Sequence, residues 1–256
     1  MKKNTVLITG AGQRLGRAMA LACARRGFAV AVHYNRSRAA AEAVAAEITA
    51  IGRPAAIVQA DLSHPEEVAG LVAAAANALG TITCLINNAS AFENDSIETL
   101  TSKGWHNHLA INAEAPALLA QQMAAALPED ANGLIVNMLD EAVMRPGPTF
   151  FSYTVSKVAL AAMTEMLAQA LAPRIRVNGI APGLILDSGH PSKDAFERAH
   201  RNTLLGKGPG EDAIVRALTY LIEADTVTGE ILYVDAGKHL MQGQKYLPSK
   251  PLEPKR

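Results

Sequence analysis

Tyr153 and Lys157 stand four residues apart in the run Tyr-Thr-Val-Ser-Lys. A helix is predicted from Ser152 to Leu171, and within it this spacing places the two side chains on one face, one turn apart. Because a nearby ammonium group stabilises a tyrosinate, we expect Lys157 to lower the pKa of Tyr153 from about 10 toward neutral pH. The pair therefore indicates acid–base chemistry at a tyrosine hydroxyl.

A glycine-rich turn, Thr9-Gly-Ala-Gly-Gln-Arg-Leu-Gly16, follows the first predicted strand and opens the first predicted helix. Glycines let the backbone approach a pyrophosphate, and the helix N-terminus offers free N–H groups and a positive dipole end. The strand–turn–helix context predicts a nucleotide-binding site.

The end of the second predicted strand, His33-Tyr-Asn-Arg-Ser37, indicates which dinucleotide binds there. Folds that bind NAD place an acid near this point to hold the ribose 2′-OH, and this run has none. Arg36 can pair with a 2′-phosphate and Ser37 can donate to it, which favours NADPH. Arg38 is either part of this site or a solvated cation, and Asp61 either contacts the adenine amino group or caps the next turn.

Short β-branched runs alternate with alanine-rich helical segments along the chain. Strands are predicted at 5–9, 28–34, 55–59, 83–87, 133–138, 175–180 and 230–234. Pro65 opens a predicted helix that ends near Gly80, and residues 97–127 are predicted mostly helical with a break near Gly104. Seven strands separated by helices imply crossovers, hence an α/β fold with a mostly parallel sheet covered on both faces. We expect one domain over residues 1–242 and an extended tail over 243–256.

Composition excludes several classes of protein. The 24 basic residues balance the 24 acidic ones among 256, so a nucleic-acid surface is not expected. Two cysteines cannot build a disulfide scaffold or a cysteine-rich zinc site. No apolar stretch approaches the roughly 20 residues of a membrane span, and the first one is too short for a signal peptide. We expect a cytoplasmic protein without membrane or nucleic-acid partners and without a metal.

Further motifs join the first two: Asn87-Asn-Ala-Ser90 after the fourth strand, Asn112, and Pro182-Gly183 after the sixth. Together they resemble the short-chain dehydrogenase/reductase family over residues 4 to about 238. The resemblance implies a doubly wound Rossmann fold in which Tyr153 donates a proton and Lys157 binds the nicotinamide ribose. It also implies a water relay supported by Asn112. The cofactor residues that we predict are Gly10, Arg14, Leu15, Gly16, His33, Tyr34, Asn35, Arg36, Ser37, Asp61, Leu62, Asn88, Ala89, Ser90, Met138, Tyr153, Lys157, Pro182, Gly183 and Leu184.

Three departures from the family pattern narrow the resemblance. Arg14 and Ser90 stand where glycine is usual, and Asp140 replaces the usual serine thirteen positions before the tyrosine. With Phe92, they are similar to the pteridine reductase subgroup. In members of that subgroup, the residues that match Arg14 and Ser90 contact both the cofactor and the pterin. The residue that matches Phe92 stacks on the pterin ring, and the residues that match Asp140 and Tyr153 deliver the proton.

These substitutions suit a flat, electron-poor ring edged with amide and amino groups, which an aromatic face and a carboxyl can bind. We therefore expect NADPH-dependent reduction of a dihydropterin: dihydromonapterin, dihydrobiopterin or dihydrofolate. The resemblance also implies a homotetramer built through helices near 105–126 and 152–171.

Simpler roles stay open: Asp140 as a strand-end cap, Phe92 as loop packing, and Arg14 as a phosphate contact alone. Two other functions also stay open, a ketone reductase acting on 3-oxoacyl thioesters or sugars, and an NADP(H)-binding sensor without turnover.

Overall fold

The computed structural model describes residues 4–185 and 192–241 of the chain. A seven-stranded sheet runs in the order β3-β2-β1-β4-β5-β6-β7, and every adjacent pair is parallel. The strands are β1 (Thr5–Ile8), β2 (Ala29–Tyr34), β3 (Ala55–Gln59), β4 (Cys84–Asn87), β5 (Gly133–Met138), β6 (Ile175–Pro182) and β7 (Ile231–Val234). The order reverses between β1 and β4, which opens a crevice at the carboxyl ends of the strands, where doubly wound folds bind their ligands.

Helices cover both faces of the sheet. The α-helices are α1 (Arg14–Arg25), α2 (Arg38–Ala50), α3 (Pro65–Val68), α4 (Leu71–Leu79), α5 (Ser102–Leu109), α6 (Ala115–Ala126), α7 (Phe151–Leu171), α8 (Lys193–Arg201) and α9 (Glu211–Glu223). A π-helical turn (Ala110–Glu114) joins α5 to α6, and two 3₁₀ turns (Glu141–Met144 and Lys238–Leu240) lie in the described segments.

The strands read as continuous apolar runs because both of their faces are buried. Successive residues of a strand point to opposite sides of a sheet. In β1, Val6 and Ile8 pack in a hydrophobic cluster with α1, α2 and α9. Leu7 packs on the other side in a cluster with α4 and α6. All four residues of β1 and all six of β2 are buried, as expected for the centre of a parallel sheet.

Two helical predictions need correction. The segment after Pro65 is two helices, because α3 ends at Val68 and α4 starts at Leu71. The break predicted near Gly104 lies later. Thr101 caps α5 by accepting a 3.1 Å hydrogen bond from the Gly104 amide, so that glycine lies inside the first turn. The irregularity is the π-helical turn that holds Asn112. The predicted tail, 243–256, lies outside the described residues.

Both cysteines are buried, and burial raises the pKa of the Cys23 thiol to about 12. Within the described residues, none of the helices combines the length and apolar character needed to cross a bilayer.

The β1–α1 connection leaves no room for a side chain at Gly16. A Cβ there would collide with the Gly10 carbonyl oxygen and lie 2.8 Å from Asn88 Nδ2. Gly10 itself has a φ of +63°, a conformation that glycine adopts at little cost. The turn is therefore fixed by backbone-to-backbone packing of β1, α1 and the end of β4.

We predict that Gly16→Ala lowers the free energy of unfolding by about 1–3 kcal/mol, because the turn must shift to admit the methyl group. Urea unfolding of the protein without cofactor measures this change. Gly70→Ala is the matched control, since a Cβ at Gly70 meets nothing within 4 Å. Equal urea midpoints for the two variants would show that the turn adapts freely.

Candidate active site

A cavity of about 350 Å³ opens between the glycine-rich turn and the end of β2. It is lined by Gly10, Gly12, Gln13, His33, Tyr34, Asn35, Arg36 and Ser37. Six of these eight belong to the predicted cofactor site, and none is acidic. The N-cap residue of α1, Gln13, makes no side-chain hydrogen bond to the first turn of the helix. The cavity therefore combines a helix N-terminus with a cation, which suits a phosphorylated ligand.

His33 is a buried support of this cavity, with 2% of its surface exposed. Its Nδ1 accepts from the Gly10 amide at 3.0 Å, so its Nε2 carries the proton and donates to the Ala60 carbonyl, also at 3.0 Å. Burial lowers the pKa of His33 to about 4. The neutral ring thus ties the glycine-rich turn to the segment that follows β3.

Hydrogen bonds show which partners Arg38 and Asp61 have at the rim of the cavity. Arg38 donates to Glu42, four residues later on α2, at 2.8 Å, whereas the side chain of Arg36 is exposed at the cavity. Asp61 accepts from the amide and the hydroxyl of Ser63, at 2.9 and 2.7 Å. Asp61 therefore caps the turn after β3, and its contact with adenine stays a prediction.

Thr9 fixes the start of the segment that follows β4. Its hydroxyl oxygen accepts from the amides of Asn88 and Ala89, at 2.8 and 2.9 Å. The Asn88 side chain donates to the carbonyls of Thr9 and Gly10, at 2.8 and 3.2 Å. These contacts bring the predicted cofactor residues Asn88 and Ala89 against the glycine-rich turn.

Arg14 and Ser90, the two residues that replace the usual glycines, are both exposed at this junction. Arg14 has a φ of +50°, in the left-handed region that favours glycine. That conformation explains in physical terms why glycine is the family's usual residue there. The Ser90 hydroxyl donates to the Ala91 carbonyl at 3.1 Å.

Asp140 and Tyr153 are in direct contact. The Tyr153 hydroxyl donates to Asp140 Oδ2 at 2.8 Å, while Asp140 Oδ1 accepts from the Ala142 amide at 2.8 Å. Asp140 is thus the N-cap of the 3₁₀ turn after β5 and the partner of the tyrosine at the same time. The carboxylate is held in place by one oxygen and presented to Tyr153 by the other.

The expected lowering of the Tyr153 pKa is wrong for this structure. Burial first, and the Asp140 carboxylate second, raise the pKa of Tyr153 well above its usual value of 10. Lys157 lies 5.9 Å from the centre of the tyrosine ring, and its Nζ donates to the Met138 carbonyl at 2.8 Å. Burial also lowers the pKa of Lys157 to about 8. The acceptor beside the phenol outweighs the more distant ammonium, so Tyr153 keeps its proton and can act as an acid.

Asn112 lies in the π-helical turn and is fully buried. Its side chain accepts from the Ala91 amide at 2.8 Å and donates to the Ala91 carbonyl at 3.0 Å. It also donates to the Ser156 hydroxyl, at 2.9 Å, on the helix that carries Tyr153. The predicted support of a water relay stays a prediction, and the contacts observed attach the loop after β4 to α7.

Phe92 extends from that loop toward the tyrosine, with 43% of its surface exposed. Its ring meets the Tyr153 ring edge-on, at 4.7 Å between centroids and 81° between planes. It also stacks on Phe150, at 4.6 Å and 7°. Sequence reasoning missed Phe150, although an aromatic residue three positions before the tyrosine was a usable signal. Its φ of +51° is also left-handed.

The remaining predicted residues lie at or after the carboxyl ends of β3, β5 and β6 or at the start of α1. The Gly183 amide donates to the Val234 carbonyl at 3.0 Å, which pairs the Pro182–Leu184 segment with β7. Leu15 is half-buried against the cluster that holds Val6 and Ile8, whereas Leu62 is buried in the cluster on the other face of the sheet.

Sequence reasoning also missed three polar residues beside Tyr153: Asp95, His108 and Ser152. His108 Nδ1 lies 2.7 Å from the Ser152 hydroxyl, which in turn donates to Asp95. His106, two residues earlier, is exposed and bonded to its own helix at Ser102. No cluster of metal-ligating side chains occurs in the segments that the structure covers.

Three known proteins are similar to this chain over more than nine-tenths of its length. FolM alternative dihydrofolate reductase 1 of Brucella canis, crystallised with NADP, is 41% identical, with a TM-score of 0.89 over 96% of this chain and 98% of that one. An uncharacterized oxidoreductase of Methylorubrum extorquens is 34% identical over 245 residues, 93% of this chain and 98% of the relative. The 3-oxoacyl-(acyl-carrier-protein) reductase FabG of Staphylococcus epidermidis is 27% identical over 241 residues, 92% of this chain and 99% of FabG.

The similarity to the Brucella reductase confirms the predicted resemblance to the pteridine reductase subgroup. The profile of the family described as short chain dehydrogenase matches residues 4–195, which span the glycine-rich turn, Asp140, Tyr153 and Lys157. With the all-parallel seven-stranded sheet, this match shows that the chain belongs to the short-chain dehydrogenase family.

Proposed function

We propose that the protein is an NADPH-dependent reductase of dihydropterins. The observation that carries this proposal is the 2.8 Å hydrogen bond from the Tyr153 hydroxyl to Asp140. A reductase of ketones needs a hydroxyl group beside the tyrosine to hold the carbonyl oxygen. An ionised carboxylate would repel the alkoxide that develops there, whereas it can accept from the N–H groups of a pterin.

The cofactor is NADP(H). The Brucella relative was crystallised with NADP, and the cavity beside the glycine-rich turn suits its adenosine phosphate end. The cavity lining offers Arg36 and Ser37 and no carboxylate, so a 2′-phosphate would gain a charge-assisted contact there. The cofactor supplies a hydride to a ring carbon of the substrate when bound.

Tyr153 and Asp140 handle the proton that must reach the ring nitrogen. Because burial and Asp140 raise the pKa of Tyr153, the phenol enters the reaction protonated. A proton taken up by Asp140 passes to the Tyr153 oxygen as the phenol proton moves to the substrate. Alternatively, Asp140 stays ionised and accepts from the amino-pyrimidine edge. Both roles need the carboxyl group and not merely its shape.

Phe92 offers a flat surface for the substrate ring. Its side chain is partly exposed and lies edge-on to Tyr153, within the reach of a ring that also contacts the tyrosine hydroxyl. An electron-poor bicycle gains from stacking on such a face. Phe150 stacks on Phe92 and covers one face of its ring, so a substrate ring would stack on the other face.

A ketone reductase is the second candidate, because FabG matches 92% of the chain. Asp140, Phe92, Arg14 and Ser90 argue against it. A sensor without turnover would be free to lose Tyr153 or Lys157. This chain has both residues, with Tyr153 bonded to Asp140 and Lys157 bonded to the Met138 carbonyl. NADPH oxidation with dihydromonapterin, dihydrobiopterin and dihydrofolate, compared with a 3-oxoacyl thioester, separates the three functions.

We predict that Arg36→Ala lowers kcat/KM for NADPH by about tenfold to a hundredfold and leaves that for NADH nearly unchanged, because a charge-assisted contact is lost. Steady-state kinetics with each cofactor at saturating dihydropterin measures the effect. Arg38→Ala is the matched control, since Glu42 already engages that guanidinium. An equal loss with both cofactors would contradict a role in 2′-phosphate recognition.

We predict that Asp140→Asn lowers kcat on dihydropterins by ~10²–10⁴, the range typical of proton-transfer groups, with NADPH affinity retained. Ala142 and Tyr153 donate to different oxygens of the carboxylate, so the carboxamide must present an N–H group to one of them. Single-turnover NADPH oxidation measures the rate, and fluorescence titration measures the affinity.

Two further variants control this experiment. Glu141→Gln removes the neighbouring carboxylate, which pairs with Lys238 at 2.5 Å, and should turn over near the parent rate. Asp140→Ser installs the family's usual residue and should not restore pterin reduction. Parental turnover by Asp140→Asn would mean that Asp140 is only a cap.

A further inference from the structure

We propose that His108 is a positioning residue: as the neutral tautomer protonated on Nδ1, it holds the loop of residues 91–95 so that Phe92 faces Tyr153. This inference deepens the proposed function and rests on it for the identity of the substrate. His108 touches neither Asp140 nor the Tyr153 hydroxyl, and it acts through the loop.

The loop has no regular secondary structure of its own and depends on side chains of neighbouring elements. Asn112 bonds both backbone groups of Ala91. The Glu93 amide donates to His108 Nε2 at 3.1 Å. Asp95 accepts from the Ser152 amide at 3.1 Å, and its carbonyl accepts from the Phe151 amide at 3.2 Å. The His108 contact is the central one of these attachments, one residue beyond Phe92.

The partners of His108 determine where its proton lies. The Glu93 amide can only donate, so Nε2 must be the accepting nitrogen. Nδ1 then carries the hydrogen and donates to the Ser152 hydroxyl at 2.7 Å. That hydroxyl donates in turn to the Asp95 carboxylate. The bonds run in one direction, from α5 through α7 and back to the loop, with each polar group satisfied.

Burial makes this relay difficult to replace with water. His108 is 1% exposed and Ser152 is fully buried. Removal of the imidazole would leave the buried Ser152 hydroxyl without its donor and the partly buried Glu93 amide without its acceptor, which is the costly way to lose a hydrogen bond. The loop would move to regain partners, and Phe92 would move with it.

The hydrogen-bond partners of His108, and not the charges around it, require the neutral ring. Asp95 lies across Ser152, Glu93 contributes only its backbone, and the Tyr153 ring stands edge-on to the imidazole at 6.2 Å between centroids. Asp140 lies beyond the tyrosine. A second proton on His108 would place an Nε2–H group opposite the Glu93 N–H, so two donors would face each other. The site therefore requires one acceptor and one donor from residue 108.

The test compares three variants of the full chain: His108→Leu, His108→Gln and the control His106→Leu, which removes an exposed histidine from the same helix. His108→Leu should raise KM for the dihydropterin about fivefold to a hundredfold, with KM for NADPH unchanged. Gln offers a carbonyl oxygen near the place of Nε2 and should recover most of this loss. His106→Leu should match the parent.

Amide exchange measured by NMR tests the position of the loop without any substrate. The Glu93 and Ala91 amides should exchange faster in His108→Leu, while the Ala11 amide, bonded to the His33 carbonyl at 3.0 Å, should not. If His108→Leu fails to fold, Ser152→Ala removes a single oxygen from the same relay and should give the same pattern.

Unchanged exchange together with an unchanged dihydropterin KM, in His108→Leu or Ser152→Ala, would overturn the positioning role. A uniform loss of kcat and of NADPH affinity without rescue by Gln would also overturn it, since that is the result of general destabilisation. If the parent reduces no dihydropterin, the proposed function fails, and the exchange rates still decide whether His108 holds the loop.

Discussion

The Thr9 hydroxyl joins the two halves of the sheet at the point where the strand order reverses. One oxygen atom accepts from two consecutive amides, those of Asn88 and Ala89, just after β4. Asn88 returns the contact by donating to the backbone on either side of the Thr9–Gly10 bond. The glycine-rich turn and the start of the segment that follows β4 are therefore one hydrogen-bonded unit.

A second hydrogen-bonded unit consists of the end of β5 and the start of α7. Asp140 is held by the Ala142 amide, Lys157 by the Met138 carbonyl, and Tyr153 by Asp140. The loop of residues 91–95 spans the distance between the two units. Because its own backbone forms no helix or strand, the buried Asn112 and His108 decide how the aromatic surface meets the acid. Under the proposed function, the residues that orient the substrate ring relative to the proton donor lie in α5 and the π-helical turn, which carry no reacting group.

Local patterns in the sequence predict the helices and strands. The electrostatics and the side-chain contacts of the site depend instead on residues that are far apart in the sequence. Strand β5 was predicted at its observed bounds because its apolar run is buried on both faces. The Tyr153–Lys157 pair followed from helical spacing alone. The raised pKa of Tyr153 did not, because it depends on how deeply the phenol is buried and on an acid thirteen residues away. The relay from His108 through Ser152 to Asp95 joins residues 44 and 57 positions apart, which no local pattern reports.

Two of the three non-glycine residues with positive φ in the described chain, Arg14 and Phe150, lie beside the site. A left-handed conformation costs such residues roughly 1–2 kcal/mol, so each position stores strain that glycine would release. Selection for thermostability would therefore favour glycine at both places. Such variants would tolerate heat better but would lose the exposed cation of the glycine-rich turn and the ring that stacks on Phe92. Under the proposed function, heat tolerance and substrate selectivity would therefore oppose each other at these two backbone positions.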